Sequence, residues 1–280
     1  MITLPKDYEP YFALSQLGAG GNGSYILQQI AQMMNIFNCD GRYIIADPDI
    51  VETKNLGNQL FIPGDVGKKK ASVLARRYSS HYNLQISSYT DEYVENEEMI
   101  HNLFTQEYYS RTYRSSMFVP ILIGCVDNNF SRQIMHNYFL RSERLIYIDV
   151  GIEGAKVPQD GRVKRDWTEK ENDEFKNSGW VGQVVCGVRW NGETLLSPVG
   201  DLFPDTQEMT DSIAPSELSC SAIVMSEPQR LLTNKFAALE VISYFNELFS
   251  EGTISNHYSY VTLQSKVKVR TTRVENNIEL

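Results

Sequence analysis

The sequence predicts an α/β fold, with a doubly wound, mostly parallel sheet in its first half and antiparallel strands extending it in the second. Three observations carry that prediction. The stretch Leu17-Gly18-Ala19-Gly20-Gly21-Asn22-Gly23-Ser24 separates a run of strand character, Tyr11 to Gln16, from a segment of helical periodicity, Ile26 to Phe37. Short apolar runs then alternate with helical segments as far as Val150. After Gly151 the alternation gives way to charged and proline-containing stretches, one long amphipathic segment and two late strand-like runs.

Residues 11–17 read as the first strand and 24–38 as the first helix. Arg42 to Asp47 is a short apolar run ending in an acid, the look of a buried parallel strand. Ile50 to Val66 is polar and irregular, and a second helix begins after Gly67 and runs to Tyr82. Leu84 to Ser88 reads as a strand, Tyr93 to Tyr109 as a polar, tyrosine-rich helix, and Met117 to Val126 as a buried strand. A helix over Phe130 to Leu140 and a strand over Leu145 to Val150 complete a Rossmann-like half.

Val157 to Gly179 is charged and reads as mobile, and Gly182 to Trp190 returns to strand character. A connection holding Pro198, Pro204 and Pro215 leads to Ser216-Glu217-Leu218-Ser219-Cys220-Ser221. Leu231 to Phe249 is an amphipathic helix, with Leu232, Phe236, Leu239, Ile242, Phe245 and Phe249 at three- and four-residue spacings. Tyr258 to Leu263 and Lys266 to Thr271 form a C-terminal hairpin. With no internal repeat and no clean linker, residues 1–280 read as one domain. Its nucleotide-binding half covers 1–150, and 151–280 is an antiparallel extension with a crossover loop, a long helix and a hairpin.

Composition narrows the function. A net charge of −9 argues against general nucleic-acid binding, which needs a basic surface to displace counterions. The longest apolar run, Met117 to Val126, is too short to cross a bilayer, and the first residues carry no basic-then-apolar export signal. A cytoplasmic protein without a membrane partner is expected. Cys39, Cys125, Cys186 and Cys220 form no C-x-x-C pair, so neither zinc nor a redox pair is expected, and all four read as reduced thiols.

Gly18, Gly20 and Gly23 fit G-x-G-x-x-G, a turn that lets a backbone approach phosphates at a helix N-terminus. Asp47 follows about 20 residues later, where a carboxylate accepting hydrogen bonds from a ribose belongs. Asp127 and Asn128 end the central apolar strand, the edge at which open α/β sheets bind ligands. Lys68, Lys69 and Lys70 stand at a helix start, against the macrodipole. One of them facing a polyphosphate would explain that; Lys68 and Lys69 read as solvated.

The glycine turn, Asp47-x-Asp49-x-Val51-Glu52, Asn55-Leu56, Gln59, Gly67-x-x-Lys70-Ala71, Asp127-Asn128 and Arg132 together resemble the ThiF/E1-like superfamily, the ubiquitin-activating-like adenylyltransferases of MoeB/ThiF type. Gly182-Gln-Val-Val, Asp201-Leu-Phe-Pro204, Pro215, Ser219-Cys220-Ser221 and Asn234 are similar to the ThiF proteins of PRTRC-type bacterial gene systems. The resemblance implies ATP- and Mg²⁺-dependent adenylation of the C-terminus of a small ubiquitin-like or sulfur-carrier protein or peptide, and a homodimer.

By the same resemblance, Gly18, Gly20, Gly21, Gly23, Asp47, Asp49, Asn55, Asn58, Gln59, Lys70, Asn128 and Arg132 bind ATP. Lys70 places a point charge on the phosphates and Asp127 holds Mg²⁺. Cys220 is either a thioester nucleophile on the connection after the sheet or a buried structural thiol. One departure matters. Relatives commonly carry arginine where this chain has Asn58, and residues 1–17 supply none. Either another cation substitutes (Lys54, Lys68, Lys69, Arg162 or Arg165), or the chain is a non-catalytic nucleotide-binding scaffold for an active partner. A NAD-dependent oxidoreductase is a third reading, but His81, His101, His136 and His257 form no recognisable constellation for it.

Overall fold

Alternating side chains of the central strands divide the core in two, and this decides which helices cover which face. The computed structural model describes residues 1–105, 116–158, 160–208, 214–216 and 229–280. Its first elements are strands β1 (Ile2–Thr3) and β2 (Glu9–Leu17), helix α1 (Gly23–Ile36), β3 (Gly41–Ala46), α2 (Lys70–Tyr82), β4 (Ile86–Tyr89) and α3 (Glu97–Phe104). Strand β5 (Ser116–Gly124), helix α4 (Asn129–Arg141) and β6 (Leu145–Ile152) follow. The second half holds α5 (Glu169–Asn177), β7 (Val181–Trp190), β8 (Glu193–Leu196), α6 (Val199–Leu202) and α7 (Asp205–Glu208). It ends with α8 (Leu231–Glu251), β9 (Thr253–Ile254), β10 (Asn256–Thr262), β11 (Lys268–Arg273) and β12 (Ile278–Glu279).

Strands β4, β3, β2, β5 and β6 lie side by side and parallel. Strand β7 pairs antiparallel with β6, and the sheet continues antiparallel through β10 and β11, with β8 also paired to β7. This is the doubly wound sheet with an antiparallel extension. Phe12 and Leu14 of β2, Tyr43 and Ile45 of β3, and Ile121 and Ile123 of β5 face the layer that holds α1, α2 and α8. Their neighbours Ala13, Leu17, Ile44, Ala46 and Leu122 face the layer with α3, α4 and α6. The chain leaves β2 toward β3 over one layer and later returns beside β2 as β5 over the other. The crevice between β2 and β5 is therefore the switch point of the sheet, with the ligand edge at the strands' carboxyl ends.

The structure shifts several expected elements. The tyrosine-rich helix begins at Glu97, because the Asn96 side chain accepts from Met99 N at 2.9 Å and caps it there; the expected end near Tyr109 lies outside the described residues. The fourth strand is Ile86–Tyr89 rather than Leu84 to Ser88, displaced toward the site. Within the charged stretch 157–179, α5 forms behind a capping box in which Thr168 and Glu171 satisfy each other's backbone N–H groups. On α8 the buried face is offset from the expected stripe. Leu232 and Leu239 are about half exposed, whereas Ala237, Ala238 and Val241 are buried on the face that packs into the core. A small separate sheet, β12-β1-β9, ties the two ends of the chain together.

Candidate nucleotide site

Gly18 takes the chain out of β2 at the switch point. Its N–H donates to Ala46 O at 2.9 Å, and Cys125 N donates to Leu17 O at 2.8 Å, so the turn is pinned to both neighbouring strands. Its φ is +100°, and a Cβ there would overlap the Cys125 carbonyl. A Cβ on Gly23 would likewise overlap the Gly18 carbonyl. Gly20 is different, for nothing stands within 4 Å of where its Cβ would be. Two glycines close the turn and one leaves room above it. Gln16, buried in β2, fastens the loop from below, with Nε2 donating to Gly18 O at 2.7 Å and Gly23 O at 3.0 Å and Oε1 accepting from Tyr43 OH at 2.5 Å. The one sequence signal for Gln16 is a glutamine at the penultimate position of an otherwise apolar strand end.

Asp47, at the end of β3, meets this loop. Its Oδ2 accepts from Ala19 N at 2.7 Å and its Oδ1 from Asp49 N at 2.9 Å. Burial raises its pKa above the ordinary carboxylate value, with Lys70 pulling the other way. Lys70 opens α2, is buried, and donates from Nζ to Asp49 Oδ2 at 2.8 Å. Burial works against its charge, but Asp47 and Asp49 outweigh burial and hold the ammonium above its usual pKa. Asp49 also accepts from Tyr93 OH at 2.5 Å. Burial raises the Asp49 pKa, yet the Lys70 charge and these hydrogen bonds leave it below the usual carboxylate range. Tyr93, read from sequence as a helix residue, instead belongs to the site.

The irregular stretch before α2 folds over the start of α1. Asn55 Oδ1 accepts from Glu52 N at 2.8 Å, closing a 3-10 turn over Thr53–Gly57. Leu60 N then donates to Ser24 Oγ at 3.3 Å, and Arg77 reaches from α2 to Leu60 O at 2.7 Å and Asp65 Oδ2 at 2.5 Å. Asn58 and Gln59 are thereby held beside the glycine turn. Their side-chain oxygens, Asn58 Oδ1 and Gln59 Oε1, are buried and without a hydrogen-bond partner among the described residues. Unpaired buried acceptors are costly to keep, and they cluster here.

On the other side of the crevice, Asn128 caps α4, its Oδ1 accepting from Ser131 N at 2.8 Å. Asp127 precedes it, exposed at the carboxyl edge, and its charge acts on Tyr93 and on Arg132. Arg132 turns inward. Its guanidinium donates to Asp149 Oδ1 at 3.1 Å, Asn129 Oδ1 at 3.3 Å, Val126 O at 2.8 Å and Val150 O at 3.1 Å. Through Val126 O and Asn129 Oδ1 it braces the loop that carries Asp127.

The cations weighed against the missing arginine are each engaged. Lys54 pairs with Glu52 at 3.1 Å, Lys68 donates to Gly64 O and Lys69 to Pro48 O, both at 2.5 Å. Arg162 pairs with Asp160 and Glu171, and Arg165 lies 3.6 Å from Asp166. Lys235, which the sequence did not single out, stands 5.3 Å from the ring centre of Tyr25 in the first turn of α1.

Cys220 lies outside the described residues. Cys39, Cys125 and Cys186 are free thiols; burial pushes Cys39 up to about 12, and Cys125 and Cys186 further, so none of these three is poised as a thiolate. The histidines sit on separate elements, with His136 buried 3.8 Å from Asp201 beyond α4.

Among the described residues no group of three or more His, Cys, Asp or Glu is arranged to hold a metal. Asp127, an exposed carboxylate at the carboxyl edge of the sheet, suits Mg²⁺, which takes one or two carboxylates and fills its remaining positions with water and ligand oxygens. No helix among the described residues is long and apolar enough to cross a membrane.

A glycine turn at the switch point, an acid at the end of the next strand and a charged lysine beside it give the chain the layout of an open α/β sheet whose ligand edge lies at that crevice. The chain belongs to the ThiF family: residues 16–165, more than half of its length, match the family's model. Among solved structures it is similar to PaaA (14% identity, TM-score 0.55, covering 95% of this chain and 65% of that one). It is similar also to E. coli MccB solved with ATP (15% identity, TM-score 0.56, 96% and 64%) and to MccB with MccA-N7isoASN (15%, 0.57, 97% and 66%). At such identities the likeness is one of fold, and the chain spans just under two thirds of the length of those proteins. No curated protein matches it.

Proposed function

We propose that the protein activates a carboxyl terminus by adenylation. A carboxylate oxygen of a peptide or small carrier protein attacks the α-phosphorus of ATP, the bond to the bridging oxygen breaks, and pyrophosphate leaves. The observation that carries this reading is the convergence of Asp47, Asp49 and Lys70 on the loop whose Gly20 is left open. Asp47 accepts from the ribose hydroxyls, and Gly20, the open glycine of the turn, lets the phosphates rest on backbone N–H groups at the start of α1. Lys70, kept charged by its two acids, turns to the phosphates as negative charge gathers there. Asn55, Asn58 and Gln59 supply neutral contacts from the loop above, and Asn128 lines the pocket while capping α4.

Asp127 is the residue that would hold Mg²⁺, which neutralises phosphate charge when bound. Arg132 acts indirectly, by fixing the turn that presents Asp127. Little covalent chemistry is asked of the side chains; positioning and charge carry the rate. The fold shared with MccB, solved with ATP and with MccA, supports a peptide as the acyl partner. Thioester transfer to Cys220, a ubiquitin-like substrate, homodimerisation and the narrower PRTRC likeness stand as extensions of this reading.

Pyrophosphate exchange tests it. Exchange of labelled pyrophosphate into ATP, driven by a pool of synthetic peptide free acids and abolished by Lys70→Met, is the expected result; absence of exchange with peptides and small carrier proteins alike contradicts it.

A second reading has its own observation. Lys54, Lys68, Lys69, Arg162 and Arg165 are all held by partners of their own, and Asn58 stands where, by the resemblance, relatives commonly have arginine. That favours a nucleotide-binding scaffold beside an active partner. Family membership sets both ahead of a nicotinamide oxidoreductase.

A further inference from the structure

The residue that looks most out of place in the core is Asn234. It sits in the first turn of α8, is 0% exposed, and both ends of its carboxamide, Oδ1 and Nδ2, lack a hydrogen-bond partner among the described residues. Its neighbours on the helix are satisfied, with Thr233 Oγ1 donating to Gly179 O at 2.8 Å and Asn234 N bonding to Arg230 O at 3.0 Å. The carboxamide is aimed at the glycine turn. Asn234 Nδ2 and Gln229 Oε1 lie within 2.9 Å of where a Cβ of residue 21 would stand, so the carboxamide packs directly over that glycine. No side chain among the described residues caps the start of α8.

The position of this amide along the loop is informative. Asp47 bonds to Ala19 at one end of the turn, Gly20 is open in the middle, and Asn234 covers Gly21 at the other end. A nucleotide with its ribose at Asp47 and its phosphates over Gly20 has Asn234 on the side away from the ribose, where an attacking acyl group must approach. A carboxylate or a phosphate offers only acceptors, so it would satisfy Nδ2 and leave Oδ1 buried and unpaired. The end of a polypeptide offers both, an N–H from its last peptide unit and a carboxyl oxygen beside it.

We propose that Asn234 reads the last peptide unit of the acyl substrate, Oδ1 accepting the terminal residue's N–H and Nδ2 donating to the carboxyl oxygen that does not attack. The inference rests on the adenylation reading and sharpens it: the substrate is a polypeptide end whose last amide carries a hydrogen, not a free small acid and not a chain ending in an N-alkylated residue such as proline.

Two stable mimics of the acyl-adenylate decide the matter, N-acetylglycyl-sulfamoyladenosine and its N-methyl (sarcosyl) counterpart, titrated calorimetrically beside ATP·Mg²⁺. The wild-type protein is expected to bind the N–H compound roughly tenfold or more tightly than the N-methyl one, the consequence of leaving a buried acceptor unpaired. Asn234→Ala is expected to bind the two alike while keeping its ATP·Mg²⁺ affinity. The comparison on wild type alone needs no variant, so a poorly folding substitution does not blunt it. Equal affinities in wild type, with ATP·Mg²⁺ still bound, overturn the role of Asn234 and leave the adenylation reading standing. A preference that survives Asn234→Ala overturns it too. Failure to bind ATP·Mg²⁺ at all removes the adenylation reading and this inference with it.

Discussion

Lys70 Nζ lies 2.8 Å from Asp49 Oδ2, and the pair joins the first residue of α2 to the turn after β3. The lysine is anchored at its backbone as well, where Lys70 N donates to Asp49 O at 2.9 Å. A flexible four-carbon side chain is thus delivered to the glycine turn already charged and restrained. Replacing Lys70 by methionine keeps the length of the stem and removes the charge. Pyrophosphate exchange is expected to fall by about 10²–10³-fold, the usual loss when one charge-stabilising group is deleted. Lys70→Arg should recover only part of it, because the planar fork needs more room than a buried ammonium.

The same pair sets a pH dependence. The Asp49 pKa is lowered, so its contribution to stability is present above the ordinary aspartate pKa and is lost as pH falls through the folded-state value. The Lys70 pKa is raised, so its contribution is complete below the ordinary lysine pKa and is lost as pH rises through the folded-state value. Asp47, raised by burial, works in the opposite sense to Asp49 and favours the folded state as acid protonates it. From these three groups stability should be flat between about pH 6 and about pH 9. Asp49→Asn should flatten the acid limb while costing less than about 1 kcal/mol at neutral pH, since the carboxylate is partly solvated. Urea midpoints measured across the pH range check both statements; an acid limb as steep in Asp49→Asn as in wild type would contradict them.

The glycines of the turn should separate folding from binding. Gly20→Ala has space for its methyl group, so the unfolding midpoint should move by less than about 0.5 kcal/mol. Its ATP affinity should drop at least roughly tenfold, because the Cβ stands where a phosphate would lie. Gly18→Ala, at φ +100° and against the Cys125 carbonyl, should instead lose about 2 kcal/mol or more of stability. Equal destabilisation by the two changes would contradict the assignment of the open side of the loop.

Arg132 should behave as a brace. It is buried against Asp149, which also accepts from Tyr147 OH at 2.9 Å, and removal of one partner strands the other charge in the core. Arg132→Met is expected to cost about 3–5 kcal/mol in urea unfolding. Nucleotide should still raise the melting temperature of whatever fraction folds. Undiminished stability with ATP binding abolished would instead make Arg132 a direct ligand.

Asn58→Arg addresses the second reading. If the protein is a scaffold that lost its cationic fork, the substitution should create pyrophosphate exchange where wild type shows none. If the protein is an active enzyme, exchange is present without it, and the added arginine should change the rate only modestly.

Much of this was legible beforehand. The glycine turn, Asp47, Lys70 and Asp127 announce themselves because each is a residue type that the local element does not otherwise call for: glycines inside a strand-to-helix junction, an acid ending an apolar run, a lysine at a helix start. Gln16, Tyr93 and Arg77 were missed because their partners are distant or irregular. Gln16 bonds to carbonyls of a turn that exists only once folded, Tyr93 reaches Asp49 across 44 residues, and Arg77 grips Leu60 O in a stretch without periodicity. Asn234 was read only as part of a resemblance, since nothing in an amphipathic pattern says that a helical asparagine will be buried without a partner. The hairpin between β7 and β8 was readable and went unread: Asn191 and Gly192 have φ of 51° and 76°, the left-handed pair that an Asn-Gly turn between strands supplies. The offset face of α8 was not readable, because two exposed leucines satisfy a helical period as well as two buried ones.

Thermal unfolding with ATP·Mg²⁺, with NAD⁺ and without ligand, on wild type and Asp127→Ala, bears most directly on the claim that this crevice holds ATP. At a hundredfold over its Kd a ligand stabilises by about 2.7 kcal/mol, which for a chain of this size is a rise of about 5 °C or more. If the crevice holds ATP, that rise appears with ATP·Mg²⁺ in wild type, is lost in Asp127→Ala, and does not appear with NAD⁺. A rise with NAD⁺ and none with ATP·Mg²⁺ would contradict it.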